Sequence, residues 1–127
     1  MTIAAPRAFP PDPAAVRSAR QYVAERLAGA GPGITEDALL LVSELASNSV
    51  LHAKSEFTVS VERLAGATVR IAVGDRDSGS PEVRTASVRD VSGRGIAIVA
   101  KLSDDWGVER VADGKIVWFT LTDDAIA

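Results

Sequence analysis

Ser43-Glu44-Leu45-Ala46-Ser47-Asn48-Ser49-Val50-Leu51-His52-Ala53 is the stretch from which the fold is read. It continues a helical pattern of apolar residues, Leu39, Leu41, Val42, Leu45, Ala46 and Val50. Within it a carboxylate, Glu44, and a carboxamide, Asn48, stand four residues apart, which stacks them on one helix face beside the apolar stripe. A Glu and an Asn so placed can share a small hydrated cation, or hold a water or hydroxyl near a phosphate. Alone, this spacing is common on solvated helices. Its weight comes from two segments that follow in the chain.

Working outward, Thr35 is the expected N-cap of this helix, with Glu36 and Asp37 in its first turn, and the helix ends near residues 52–54. Upstream, Pro6, Pro10 and Pro11 mark residues 1–12 as an extended arm, with an edge strand expected over residues 3–9. Asp12 as N-cap and Pro13 in the first turn open an earlier helix through Val16, Ala19, Arg20, Val23 and Leu27. Gly29, Gly31, Pro32 and Gly33 stop it.

Downstream the period changes to two. Phe57, Val59 and Val61 alternate with polar residues, as do Val69, Ile71 and Val73, and Leu64-Ala65-Gly66-Ala67 joins them as a hairpin turn. Residues 76–92 are rich in charge and turn formers and read as a long loop, a length that in a compact domain usually carries function or disorder. A third helix is expected from Arg94 or Gly95 to Leu102. Two strands follow over residues 106–111 and 116–121, joined at Asp113-Gly114. Three helices and four or five mostly antiparallel strands predict a two-layer α/β sandwich, a mixed, mostly antiparallel sheet with helices covering one face.

Composition narrows the function classes. The length of 127 residues fits one domain, residues 1–127, with residues 1–8 as an extended arm. A net charge of −3 with scattered basic residues argues against general nucleic-acid binding. Cys is absent and His52 is the single His, so disulfides, thiolate metal sites and His-pair zinc sites are excluded. The longest apolar runs are five residues, far short of the roughly 20 of a membrane span. No signal peptide is evident, and a soluble, cytoplasmic protein without a membrane partner is the expectation.

The second segment is Val69-Arg70-Ile71-Ala72-Val73-Gly74-Asp75-Arg76-Asp77-Ser78-Gly79-Ser80-Pro81, a strand that delivers an acid into a turn. The third is Gly93-Arg94-Gly95-Ile96-Ala97-Ile98-Val99, a glycine pair opening a helix. With these on the page, the chain resembles the GHKL, or Bergerat-fold, ATPases. More closely it resembles the small serine-kinase anti-sigma factors of the actinobacterial type and their orphan relatives. The first box of that family is SELASNSVLHA; the second, of form D-x-G-x-G, is DRDSGSP with Asp75 and Gly79 in register; the third, G-x-G-[LI], is GRGI. The tail LSDDWGVERVADGKIVWFTL is similar to the family's terminal hairpin, so the likeness runs from about Phe9 to Leu121. Each box alone is unspecific; the ordered set is specific.

The resemblance implies ATP or ADP with Mg²⁺ as cofactors. It implies that Asp75 accepts a hydrogen bond from the adenine amino group, a role suited to a carboxylate at a strand end. Guanine carries an oxo group there. Gly79, Gly93, Arg94, Gly95 and Ile96 would complete the nucleotide site, the glycines admitting backbone to phosphate and the helix N-terminus adding free N–H groups. Asn48 would coordinate Mg²⁺ bridging phosphate oxygens. Glu44 would be the base toward a substrate hydroxyl. Residues 80–92 would form the lid, with Arg84, Arg89 and Arg94 as candidates for phosphate contact.

Two departures stand out. Asp77 occupies the place of the family's first second-box Gly and adds negative charge beside the base pocket. Ile116 stands where many relatives have Thr in G-x-T, whose hydroxyl supports the network around the adenine carboxylate; its loss is expected to weaken nucleotide binding. Of the other distinctive residues, His52 reads as a helix-terminal His, and Trp106 and Trp118 as strand packing.

The leading expectation is an ATP-binding serine/threonine kinase anti-sigma factor that acts by partner switching. Its partners would be a small anti-sigma-factor antagonist carrying the target hydroxyl and a sigma factor, with a homodimer left open. The alternative is a nucleotide-sensing binding module without catalysis, favoured by Asp77 and Ile116 as Glu44 favours the kinase. A detached histidine-kinase catalytic domain is a third reading, opposed by the single His and the lack of a dimerisation helix pair.

Overall fold

The computed structural model describes residues 5–76, 91–112 and 114–123, and the side chains of residues 91–96 are outside that description. The elements are β1 (Arg7–Phe9), α1 (Pro13–Arg26), α2 (Pro32–Asn48), a π-helical turn (Ser49–Ala53), β2 (Phe57–Leu64), β3 (Thr68–Asp75), α3 (Val91–Leu102), β4 (Asp105–Val111) and β5 (Gly114–Thr122). The strands form one sheet of order β1-β2-β3-β5-β4, and every pairing in it is antiparallel. The sheet is thus wholly antiparallel among the described strands rather than mixed.

Alternation decides which sheet face is covered. Phe57, Val59 and Val61 of β2, Val69, Ile71 and Val73 of β3, and Val117, Phe119 and Leu121 of β5 are all buried and lie at alternate positions. They meet Ala15, Ala19 and Val23 of α1, Ala38, Leu41, Val42 and Leu45 of α2, and Val99 of α3 in one core. The small residues of α1, spaced four apart, let that helix lie close to its neighbours. At the edge, the Phe9 ring stacks on Phe57 with centroids 5.4 Å apart, and Arg7 covers both Phe9 and Tyr22. This ties β1 to β2 and to α1. No helix among the described residues is long and apolar enough to cross a membrane.

The helix starts test the sequence reading. Asp12 caps α1 as expected, its Oδ1 accepting the Ala14 N–H at 3.0 Å. The start of α2 differs: the helix begins at Pro32 with Gly31 as N-cap, and Thr35 lies inside it. Proline is well suited to the first helical position because it brings no N–H to satisfy. Thr35 spends its hydroxyl on the Gly31 carbonyl at 3.1 Å instead of capping. Likewise α3 begins at Val91, not at Arg94 or Gly95. Glycine in a helix costs about 1 kcal/mol but does not forbid it, and the apolar spacing of Val91, Ile98, Val99 and Leu102 extends the helix across Gly93 and Gly95.

The β2–β3 turn holds a strained residue. Gly66 has φ +74°, which glycine adopts without penalty, but Ala67 follows with φ +59°. For a residue with a Cβ the left-handed region costs roughly 1–2 kcal/mol. Ala67→Gly is therefore expected to stabilise the protein by about 0.5 kcal/mol, after the extra backbone entropy of glycine is offset. Thermal unfolding of the two proteins measures the difference, and a lower midpoint for the variant contradicts it.

Candidate functional site

α2 carries Glu44 and Asn48 one turn apart at its C-terminal end, both half-buried. There the helix loosens into the π turn, which Lys54 closes in the left-handed conformation, its N–H donating to the Ser49 carbonyl at 2.9 Å. An i→i+5 bond closed by a left-handed residue is a common way for a helix to end. At the junction α2 presents the Ser49 side chain, 1% exposed, to the end of β3, where its Oγ lies 2.7 Å from Asp75 Oδ2.

Asp75 is the last residue of the central strand β3, flanked by Phe57 of β2 and Lys115 of β5. It follows Val69, Ile71 and Val73 on the face turned to the helices, and its side chain is only 7% exposed. The Lys115 ammonium lies 3.5 Å from Oδ1. The carboxylate is therefore held by a hydroxyl from the helix side and an ammonium from the sheet side. Gly114 allows this approach: a Cβ there would collide with the Asp75 carbonyl oxygen.

Asn48 contributes an oxygen of a different kind. Its Oδ1 is buried and has no hydrogen-bond partner among the described residues. An unpaired buried acceptor costs about 1–3 kcal/mol, so it requires an explanation. An oxygen donor one helical turn from a carboxylate suits Mg²⁺, which takes one or two protein ligands and completes its shell with water and phosphate. Among the described residues no cluster of three or more His, Cys, Asp or Glu is placed to hold a metal by itself. The described residues thus fit a cation that would be held by Asn48 and take the rest of its ligands from outside the protein.

The other expected site residues divide into two groups. Gly93, Arg94, Gly95 and Ile96 lie within the first turns of α3, not ahead of it. Gly79, Asp77, Arg84, Arg89 and residues 80–90 of the lid expected over 80–92 lie outside the described residues, as does the Arg94 side chain, while Val91 and Ser92 belong to α3. His52 is exposed in the π turn, Trp106 packs against the core, and Trp118 lies under the Arg70 guanidinium at 4.9 Å.

The expected role of position 116 needs correction. Ile116 pairs with Gly74, not Asp75, and its Cγ1 lies 3.3 Å from where a Gly74 Cβ would project. It therefore faces the side of the sheet opposite the Asp75 carboxylate, and its lack of a hydroxyl leaves that carboxylate untouched. Position 115 shares the face of Asp75, and the hydroxyl comes from Ser49. Sequence reasoning missed both residues, although period two along β5 places Lys115 with Val117, Phe119 and Leu121.

Comparison with known proteins agrees with this geometry. The family model of the histidine kinase-like ATPase domain matches residues 9–121. The chain belongs to that family. Among solved structures, the histidine kinase domain from Erythrobacter litoralis EL346 blue-light activated histidine kinase is similar, with a TM-score of 0.54 at 20% identity. The match covers 89% of this chain and 61% of that one, and at this identity the likeness is one of fold. No curated protein sequence matches.

The orphaned oxygen makes the site testable without ligand. Asn48→Leu keeps the number and branching of the side-chain heavy atoms and removes the acceptor that has no partner among the described residues, so the ligand-free variant is expected to be more stable by about 1 kcal/mol. Denaturant unfolding without nucleotide or Mg²⁺ checks this; clear destabilisation would show that Oδ1 is already satisfied in the resting protein.

Proposed function

We propose that this protein is an ATP-binding serine/threonine kinase of the anti-sigma-factor type, acting by partner switching. The observation that carries the reading is the buried Asn48 Oδ1, unpartnered among the described residues, one helical turn from Glu44 and next in sequence to the residue that holds Asp75. In the reading, Asp75 accepts from the adenine amino group and Asn48 holds Mg²⁺, which when bound neutralises charge on the phosphate oxygens. Glu44 takes the proton from a serine or threonine hydroxyl of the partner as that oxygen bonds to the terminal phosphorus and ADP departs.

The partner side follows from coupling. If the antagonist and a sigma factor prefer different nucleotide states of one protein, nucleotide and partner affinities are linked, and phosphorylation of the antagonist resets the choice. Membership of the histidine kinase-like ATPase family supports nucleotide binding; the serine/threonine target and the sigma-factor partner rest on the closer resemblance of the sequence boxes.

Calorimetric titration with ATP and GTP, with and without Mg²⁺, tests the site. Mg²⁺-linked binding of ATP that GTP does not reproduce is expected, and its absence removes the reading. Asp75→Asn is expected to weaken ATP binding about tenfold or more, about 1.4 kcal/mol, with the fold checked by circular dichroism. Glu44→Ala is expected to keep ATP binding and lose transfer of radiolabelled phosphate to a candidate antagonist. Transfer at the unmodified rate would remove Glu44 from the chemistry.

A further inference from the structure

We infer that Ser49 is the positioning residue that sets which oxygen of Asp75 meets the ligand, and thereby helps to select adenine; this rests on the adenine reading of Asp75 above. Ser49, at 1% exposure, is the one polar residue buried as a whole among the residues whose side chains are described. Its hydroxyl has two acceptors in range, Asp75 Oδ2 at 2.7 Å and the Leu45 carbonyl at 3.1 Å, and one proton to give. The carboxylate is the closer and the stronger acceptor. The Leu45 carbonyl already receives the Ser49 backbone N–H, so it does not depend on the hydroxyl.

The consequence is rotational. A carboxylate turns freely about its Cβ–Cγ bond unless one oxygen is tied, and the torsion is intrinsically soft. Ser49 ties Oδ2 toward the helix, which directs Oδ1 to the side where Lys115 stands. Lys115 has a flexible stem and sits at the outer limit of hydrogen-bond distance, 3.5 Å, so it can shift as an amino group arrives. Oδ1 also has two lone pairs and can accept from both donors. Ser49 is held in place by α2, to which its own N–H is still bonded at the Leu45 carbonyl, and the π turn starts from its carbonyl.

The experiment compares ATP with purine riboside triphosphate, which lacks the 6-amino group, by calorimetry on the full chain. The unmodified protein should prefer ATP. Ser49→Ala should lower ATP affinity about tenfold, the effect of one lost hydrogen bond to a charged group, and leave the analogue within about twofold. Ser49→Thr, which keeps the hydroxyl, should retain the preference. Should Ser49→Ala fail to fold, Ser49→Cys, of similar size but a weak donor, gives the same comparison. A parallel loss for both ligands would make Ser49 merely structural and overturn the inference, as would an unchanged preference. If the unmodified protein does not distinguish the two ligands, the adenine reading fails and the inference falls with it; a preference that survives Ser49→Ala overturns the inference alone.

Discussion

The contact between Ser49 and Asp75 is where the two layers of this protein are registered against each other. Residues 26 positions apart, one on the helix layer and one at the end of the central strand, share a hydrogen bond of 2.7 Å in a region nearly closed to water. Apolar packing sets how closely α2 lies on the sheet but tolerates sliding, because dispersion and burial have little direction. A buried carboxylate does not tolerate it: left unpaired it is costly, so the polar contact fixes where along β3 the helix end must sit. Lys115 completes the enclosure from β5, 40 positions further on.

This constraint orders the rest of the site. Glu44 and Asn48 are on the helix whose end Ser49 pins, so their distance from the end of β3 is set by the same contact. Gly114 permits β5 to approach Asp75 closely enough for Lys115 to reach it. Among the described residues the site is carried by elements: the acidic group ends a strand, the carboxamide ends a helix, and both are backed by core residues such as Leu45 and Val73.

The fold was largely legible in the sequence because its signals are periodic. Alternation in Phe57–Val61 and Val69–Val73 gave strands and the buried face together, and Asp12-Pro13 gave a helix start that the structure reproduces. The starts of α2 and α3 were less legible. At both, glycines were read as punctuation, whereas Gly33, Gly93 and Gly95 lie inside helices, where neighbouring apolar positions outweigh a modest propensity cost. Of the candidate site, the common helix face of Glu44 and Asn48 was legible from their spacing and the place of Asp75 at a strand end from the alternation before it. Ser49 and Lys115 were not, because each looks ordinary locally: a Ser on a helix and a Lys on a strand. Ser49 gains its meaning only from a tertiary contact. The assignment of the missing hydroxyl to Ile116 came from treating the terminal hairpin as a motif without asking which face of β5 each position occupies.

The π turn at Ser49–Ala53 has a consequence for how such a helix tolerates change in length. A residue added to an α-helix rotates everything after it by about 100°, since 3.6 residues make one turn. Winding one turn with an i→i+5 bond absorbs the extra residue locally and lets the helix before it keep its rotation. Here the segment before the turn carries Glu44 and Asn48, and the segment after it leads into β2. The turn acts as a length buffer between the two. A one-residue insertion or deletion within it changes the exposed stretch around Leu51 and His52 more readily than it changes the face on which Glu44 and Asn48 are aligned.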